Sequence, residues 1–236
     1  MAEQAQSLYA GNFHQRFAAG SSLSASIIVP MVMDLVRPRS VVDVGCGVGT
    51  WLAAFRDHGV ERILGLDGKW VKRQELLIPH QTFIAADLER PLPIAERFDL
   101  AVSLEVAEHL QPHFARAFVE ALTRLAPVVL FSAAYPGQRG VGHVNERWPG
   151  YWRRLFNKRA YLWLDPFRPR VWRDDRVEWW YRRNTFLYVN RDLIYSQADY
   201  QREYRQRRQK SLRDIARHAY LRAQPLLKRL GLNRGV

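Results

Sequence analysis

With one cysteine in 236 residues, Cys46, an intramolecular disulfide and any multi-cysteine metal site are excluded. Long apolar runs are scarce. The most apolar early stretch, Ile27 to Met33, is broken by Pro30 and followed by Asp34, short of the roughly 18 residues a transmembrane helix needs. Met1-Ala2-Glu3-Gln4 lacks the positive charge of a signal-peptide start, so a cytoplasmic protein is expected. Acidic residues are few, 23 against 36 Lys and Arg, for a net charge of +13. The deficit is local: residues 201–236 hold 11 Lys/Arg and 2 Asp/Glu, a net of +9. That tail is either a solvated helical extension or a contact for an anionic surface, such as the inner face of a membrane.

What is present alternates between strand and helix texture. A helix over residues 23–36 is expected to be interrupted at Pro30 and closed by Pro38. Val41-Val42-Asp43-Val44 reads as a strand running into Gly45-Cys46-Gly47-Val48-Gly49, with Thr50 capping the helix that follows and Gly59 ending it. Further strands are expected at Ile63–Leu66, Thr82–Ala86, Phe98–Leu104, Val128–Phe131 and Phe186–Val189. Pro112 opens a helix on which Phe114, Phe118, Leu122 and Leu125 recur at helical spacing. Such alternation predicts an α/β domain with a parallel sheet over residues 1–200. Ser211 and Asp214 resemble a capping box, and Leu212, Ile215, Ala216, Ala219 and Ala223 line one face before Pro225, so residues 201–236 read as a basic helical tail.

The densest chemical signal is Asp43-x-Gly45-x-Gly47-x-Gly49 between a strand and a helix. Glycines there allow a sharp turn and a close ligand approach. The third glycine comes two residues after the second, so the dinucleotide pattern G-x-G-x-x-G is not met, and no Lys-Ser/Thr follows to make a P-loop. Asp67 ends the second strand, where a carboxylate can accept both hydroxyls of a ribose, and Asp87 ends the third, within reach of an adenine amino group.

Residues 41–49, with Gly65-Leu66-Asp67-Gly68, Ala85-Ala86-Asp87-Leu88 and Phe98-Asp99-Leu100-Ala101-Val102, resemble the four ordered motifs of class I S-adenosylmethionine-dependent methyltransferases. The resemblance spans roughly residues 20–195. It implies a Rossmann-like sheet, mostly parallel with an antiparallel last strand and helices on both faces. It also implies a cofactor site in which Asp43, Gly45, Cys46, Gly47 and Gly49 face the methionine part, Asp67 and Gly68 the ribose, and Asp87 and Leu88 the adenine. Leu104 and Glu105 would lie near the sulfonium. Cys46 reads as a small loop residue, since direct methyl transfer needs no thiol nucleophile.

A sulfonium methyl is already electrophilic, so the enzyme mainly aligns the acceptor, and an alcohol acceptor also needs a base or a metal. Glu105-x-x-Glu108-His109 follows the fourth strand and His143 the fifth, at the carboxyl edge where such sheets bind ligands. One reading makes His143 or His109 the general base, with Glu105 and Glu108 orienting it. Another has Glu105, Glu108, His109 and His143 hold Mg²⁺ or Mn²⁺, a pattern similar to that of small-RNA 3′-terminal 2′-O-methyltransferases. A third leaves Glu108-His109 as a cap on the Pro112 helix.

Six of the eight tryptophans fall between residues 148 and 180, interleaved with tyrosine, phenylalanine and arginine. Such a mixture suits a ring-shaped polar or anionic acceptor, although at least half of these rings are expected to be core. Residues 130–138 with Trp148-Pro149-Gly150-Tyr151-Trp152 are similar to a bacterial subgroup associated with polysaccharide and secondary-metabolite pathways. O-methylation of a small-molecule or glycan acceptor is the implied activity. RNA 2′-O-methylation and non-enzymatic S-adenosylmethionine binding are the alternatives; a nucleic-acid partner is less favoured because no separate RNA-binding module is present. The acceptor and the oligomeric state are not encoded in any motif.

Overall fold

A computed structural model of the chain describes residues 13–207 and 209. Helix α1 (Phe13–Val36) passes through Pro30 without a break, contrary to the expected interruption, and begins ten residues earlier than expected. Proline in a helix interior costs about 3 kcal/mol. Ile28, Val29 and Val32 are fully buried on one face of α1, at about 1.5–3 kcal/mol each, and outweigh that cost. The uninterrupted helix also contains a window, Ala19–Val36, apolar and long enough to cross a bilayer by composition, which the sequence reading did not expect. In this fold its apolar face packs into the protein core.

The sheet has seven strands: β1 (Ser40–Val44), β2 (Arg62–Asp67), β3 (Phe83–Ala85), β4 (Leu100–Leu104), β5 (Val128–Ser132), β6 (Tyr161–Leu164) and β7 (Phe186–Asn190). Their order is β3-β2-β1-β4-β5-β7-β6, and β7 alone runs against its neighbours. β1 and β4 lie at the centre, so the order reverses beside the glycine loop, where open α/β sheets bind ligands.

Alternate residues of one strand serve opposite faces. Val41, Leu100, Val128 and Leu187 pack with α1 and α2 (Thr50–Asp57), whereas Val42, Ala101, Val129 and Tyr188 pack with α3 (Ala115–Leu125) and α4 (Pro149–Lys158). Strand β6 was not expected. Its sequence Tyr-Leu-Trp-Leu was read as part of an aromatic cover, but it forms the sheet edge against β7. Short helices α5 (Arg168–Val171) and α6 (Trp179–Asn184) bridge β6 to β7, and α7 (Arg191–Ser196) follows β7. Residues 198–207 are helical; the expected amphipathic face from Ser211 to Pro225 lies outside the described residues.

Candidate active site

Gly45, Gly47 and Gly49 all have positive φ, at 91°, 55° and 85°, a region side-chain-bearing residues rarely occupy. A Cβ on Gly45 would collide with Val106, and one on Gly49 would lie 2.9 Å from Ile78. Gly49, not Thr50, precedes α2, and no side chain caps that helix; the left-handed turn takes the position the cap would need. Cys46 is buried against Gly65, and burial, with the charges of Asp67 and Asp43, pushes its thiol well up. A thiol held protonated is a poor nucleophile.

Asp67 at the end of β2 does more than was expected of it. Its Oδ2 accepts from the Gly47 amide at 2.7 Å and its Oδ1 from the Gly68 amide at 2.6 Å, so one carboxylate fastens the β2 end to the glycine loop. Asp87 is exposed and accepts from the Glu89 amide at 3.0 Å, while Leu88 packs on the core beside it. Asp43 is buried, and burial followed by the neighbouring Asp67 charge pushes its carboxyl well up.

A raised carboxyl favours the neutral form in the fold. The stability it contributes is complete below the ordinary carboxylate range near 4 and is lost as pH rises through the folded value. Asn at position 43 does not ionise. The thermal midpoint of Asp43→Asn, measured without cofactor, is therefore expected to gain on the wild type between pH 5 and pH 8. Parallel curves would refute this.

Beyond Leu104, buried at the end of β4, Glu105 adopts φ 56°, a strained value for a residue with a side chain. The strain is held by its amide, which donates to the Ser132 carbonyl and hydroxyl at 3.1 and 3.0 Å. Gln138 donates to Glu105 Oε2 at 2.7 Å and Asn184 to Oε1 at 3.2 Å. Burial pushes the Glu105 carboxyl up, and bonds to Asn184, Ser132 and Gln138 partly offset that.

Glu108 is fully buried, and neither carboxylate oxygen closes a hydrogen bond among the described residues; its own amide, the Ala134 amide and the Glu105 carboxyl lie beside it. Burial, then the Glu105 charge, pushes its carboxyl well up. His109 is driven down to about 4 by burial and by the charge of His143. The His109 and His143 rings meet edge to face at 4.9 Å, and one ligand atom each from Glu108, His109 and His143 lies within 4.8 Å of the others. Three of the four residues expected to hold a metal, Glu108, His109 and His143, are grouped at that distance, while the Glu105 carboxylate beside them accepts from Gln138 and Asn184. Nor does Glu108-His109 cap the Pro112 turn, whose cap position is Gln111 with no side-chain bond.

His143 belongs to a loop pinched at its base by the Arg147 amide donating to the Ala134 carbonyl at 3.1 Å. The amides of Val144 and Asn145 donate to the Glu108 carbonyl, which brings the loop onto the polar cluster. Glu146, unremarked in the sequence, organises its interior. Its carboxylate accepts from the Gly137 and Arg139 amides and bonds His143 Nδ1, each at 2.9 Å. Burial pushes the Glu146 carboxyl up, but these partners outweigh it and hold it below the usual range. An acidic residue three positions after a loop histidine was the available signal. Gly140 lies against the opposite ring nitrogen, since a Cβ there would collide with Nε2. Glu146→Ala is expected to speed exchange of the Gly137 and Arg139 amides about tenfold, the ratio ~1.4 kcal/mol corresponds to. Unaltered exchange would show that the loop is held by other contacts.

The aromatic segment divides. Trp152, Phe156, Tyr161, Phe167 and Tyr181 are buried, whereas Trp148 and Trp172 are exposed. Trp148 stacks on Tyr135, whose hydroxyl accepts from Arg183 at 2.8 Å.

Residues 1–189 match the family model described as a methyltransferase domain. Over 69 residues the chain is 42% identical to the malonyl-[acyl-carrier protein] O-methyltransferase of Pseudescherichia vulneris, a match that takes in 28% of this chain and 27% of that enzyme. The fold is similar to that of DesVI from Streptomyces venezuelae (TM-score 0.55, 14% identity, 73% of this chain and 92% of that one). It is also similar to magnesium protoporphyrin IX methyltransferase from Synechocystis PCC 6803, solved with bound S-adenosylhomocysteine (TM-score 0.53, 16% identity, 80% and 93%). The chain belongs to the methyltransferase-domain family.

Proposed function

We propose that the protein transfers the methyl group of S-adenosylmethionine to a hydroxyl of a small polar or glycan acceptor, with His143 as general base. The observation that carries this is the His143–Glu146 pair at the carboxyl edge, 2.9 Å between Nδ1 and Oε1. A carboxylate at Nδ1 fixes the tautomer that leaves Nε2 as proton acceptor. His109 is driven down to about 4 by burial and the His143 charge, which makes it a weak base. As the oxygen–methyl bond forms, the sulfur–methyl bond breaks and its electron pair stays on sulfur. The hydroxyl proton passes to Nε2. The glycine loop with Asp43, Asp67 and Gly68 binds the donor, Asp87 and Leu88 flank its adenine, and Leu104 and Glu105 stand beside the reacting methyl.

A divalent metal is the second reading, favoured by the buried Glu108 carboxylate beside His109 and His143. Mg²⁺ or Mn²⁺ there would lower the pKa of the acceptor hydroxyl. We assign residues 1–200 to the catalytic domain and residues 201–236 to a basic tail.

The test is transfer of radiolabelled methyl from S-adenosylmethionine into fractionated cell extract, with and without a chelator. Label in an alkali-stable small-molecule or glycan fraction, insensitive to chelation, is expected. Label confined to RNA would overturn the acceptor. Loss on chelation, reversed by Mg²⁺ or Mn²⁺, would replace the base by the metal.

A further inference from the structure

The sheet edge that carries the polar cluster also carries nearly all of the exposed apolar bulk. Among the described residues seven large hydrophobic side chains are exposed: Leu23, Leu77, Val141, Val144, Trp148 and Trp172 on one side, and Tyr195 on the other. Topology places each of them. Residues 68–82 leave the carboxyl end of β2, and the Leu77 amide donates to the Val48 carbonyl of the glycine loop there; residues 133–148 leave the carboxyl end of β5. Residues 165–185 join the carboxyl end of β6 to the start of β7 at the same edge, since Leu164 pairs with Leu187 and Phe131 with Phe186. Leu23 lies on the half of α1 that reaches this edge: Ser21 meets Tyr181 and Ser24 bonds the Glu178 amide. Tyr195 alone follows the far end of β7.

Trp148 and Trp172 are 62% and 54% exposed, so neither indole is core. Exposed cations share these segments: Lys69, Arg139, Arg173 and Arg183. Indole rings at a rim with cations between them suit a lipid–water boundary, where tryptophan is enriched and Lys and Arg meet anionic headgroups. A rigid protein partner needs a continuous complementary face on the order of 1,000 Å² in total. Six side chains spread over four separate segments do not make one, whereas a fluid surface accepts separate protrusions.

We infer that the carboxyl edge docks on an anionic bilayer surface with the opening of the active site toward the lipid. The acceptor is then a membrane-embedded amphiphile whose polar group reaches the site. This second statement rests on the methyl-acceptor site proposed above; the docking does not.

The experiment uses the full-length chain with an environment-sensitive dye on one introduced cysteine, since Cys46 is buried. The dye is placed by Val144→Cys at the carboxyl edge or by Tyr195→Cys at the opposite edge. Vesicles of equal phosphatidylglycerol and phosphatidylcholine at low salt are the probe. The dye at 144 is expected to shift to the blue on vesicle addition while the dye at 195 does not. Val141→Ser combined with Trp172→Gln is expected to weaken vesicle partitioning about tenfold, with S-adenosylhomocysteine affinity unchanged by calorimetry. Equal shifts at both sites, a shift at 195 alone, no vesicle binding, or a shift at 144 with an acidic carrier protein but not with vesicles would each overturn the docking. Undiminished binding by the double variant, lost when Arg213, Arg217 and Arg222 become Gln, would assign the contact to the tail and overturn it as well. The calorimetry reports on the donor site independently, and labelling of the extract reports on the acceptor.

Discussion

His143→Ala is expected to lower turnover by about 10²–10⁴, the range a positioned general base supplies, while S-adenosylhomocysteine affinity stays nearly unchanged. The separation follows from the fold. His143 sits on the loop after β5, whereas the glycine loop follows β1 and Asp67 ends β2. Glu146→Gln should fall between the variant and the wild type, because one amide oxygen can still accept but no longer matches a carboxylate on Nδ1. Were metal ligation the role, Glu108→Ala would be as damaging as His143→Ala, and activity would depend on added Mg²⁺ or Mn²⁺. Full activity in both His143→Ala and His109→Ala would remove the base altogether, leaving alignment alone to carry the reaction.

Gly47→Val is expected to abolish S-adenosylhomocysteine binding in calorimetry. Position 47 holds φ 55°, which a β-branched residue avoids, and its amide is the donor to Asp67. Asp67→Ala attacks the same joint from the other side. It leaves the Gly47 and Gly68 amides without their carboxylate, at about 1–3 kcal/mol for each that stays buried, in addition to any hydroxyl contacts it makes to the donor. Its affinity loss should therefore exceed that of Asp87→Ala, since Asp87 is exposed. Unchanged affinity in both Gly47→Val and Asp67→Ala would contradict the placement of the donor.

The central strands were readable because strands buried on both faces must be short and apolar, and the motifs at their ends need glycine or carboxylate for local reasons. Val41–Val44, Ile63–Leu66 and Val128–Phe131 are of this kind. β6 was not readable, because an edge strand made of Tyr, Leu and Trp has the same composition as an aromatic cover. Pro30 misled because local cost was weighed without the tertiary burial that exceeds it. In the polar cluster, residue types and loop positions were legible in Glu105, Glu108, His109 and His143. Their partners were not: Gln138 and Asn184 reach Glu105 across 33 and 79 residues of chain, separations that no local pattern records. Glu146 was missed for a different reason. Its three bonds arise only once the loop has closed on itself.

That closure has a practical side. The Ala134–Arg147 bond brings the two ends of the segment together at 3.1 Å, and the segment's own glutamate satisfies much of its interior. A stretch built this way is a cassette. Its outward residues, among them Val141 and Val144, can be exchanged without disturbing the sheet beneath, provided Gln138, His143 and Glu146, which hold Glu105 and close the loop, are kept.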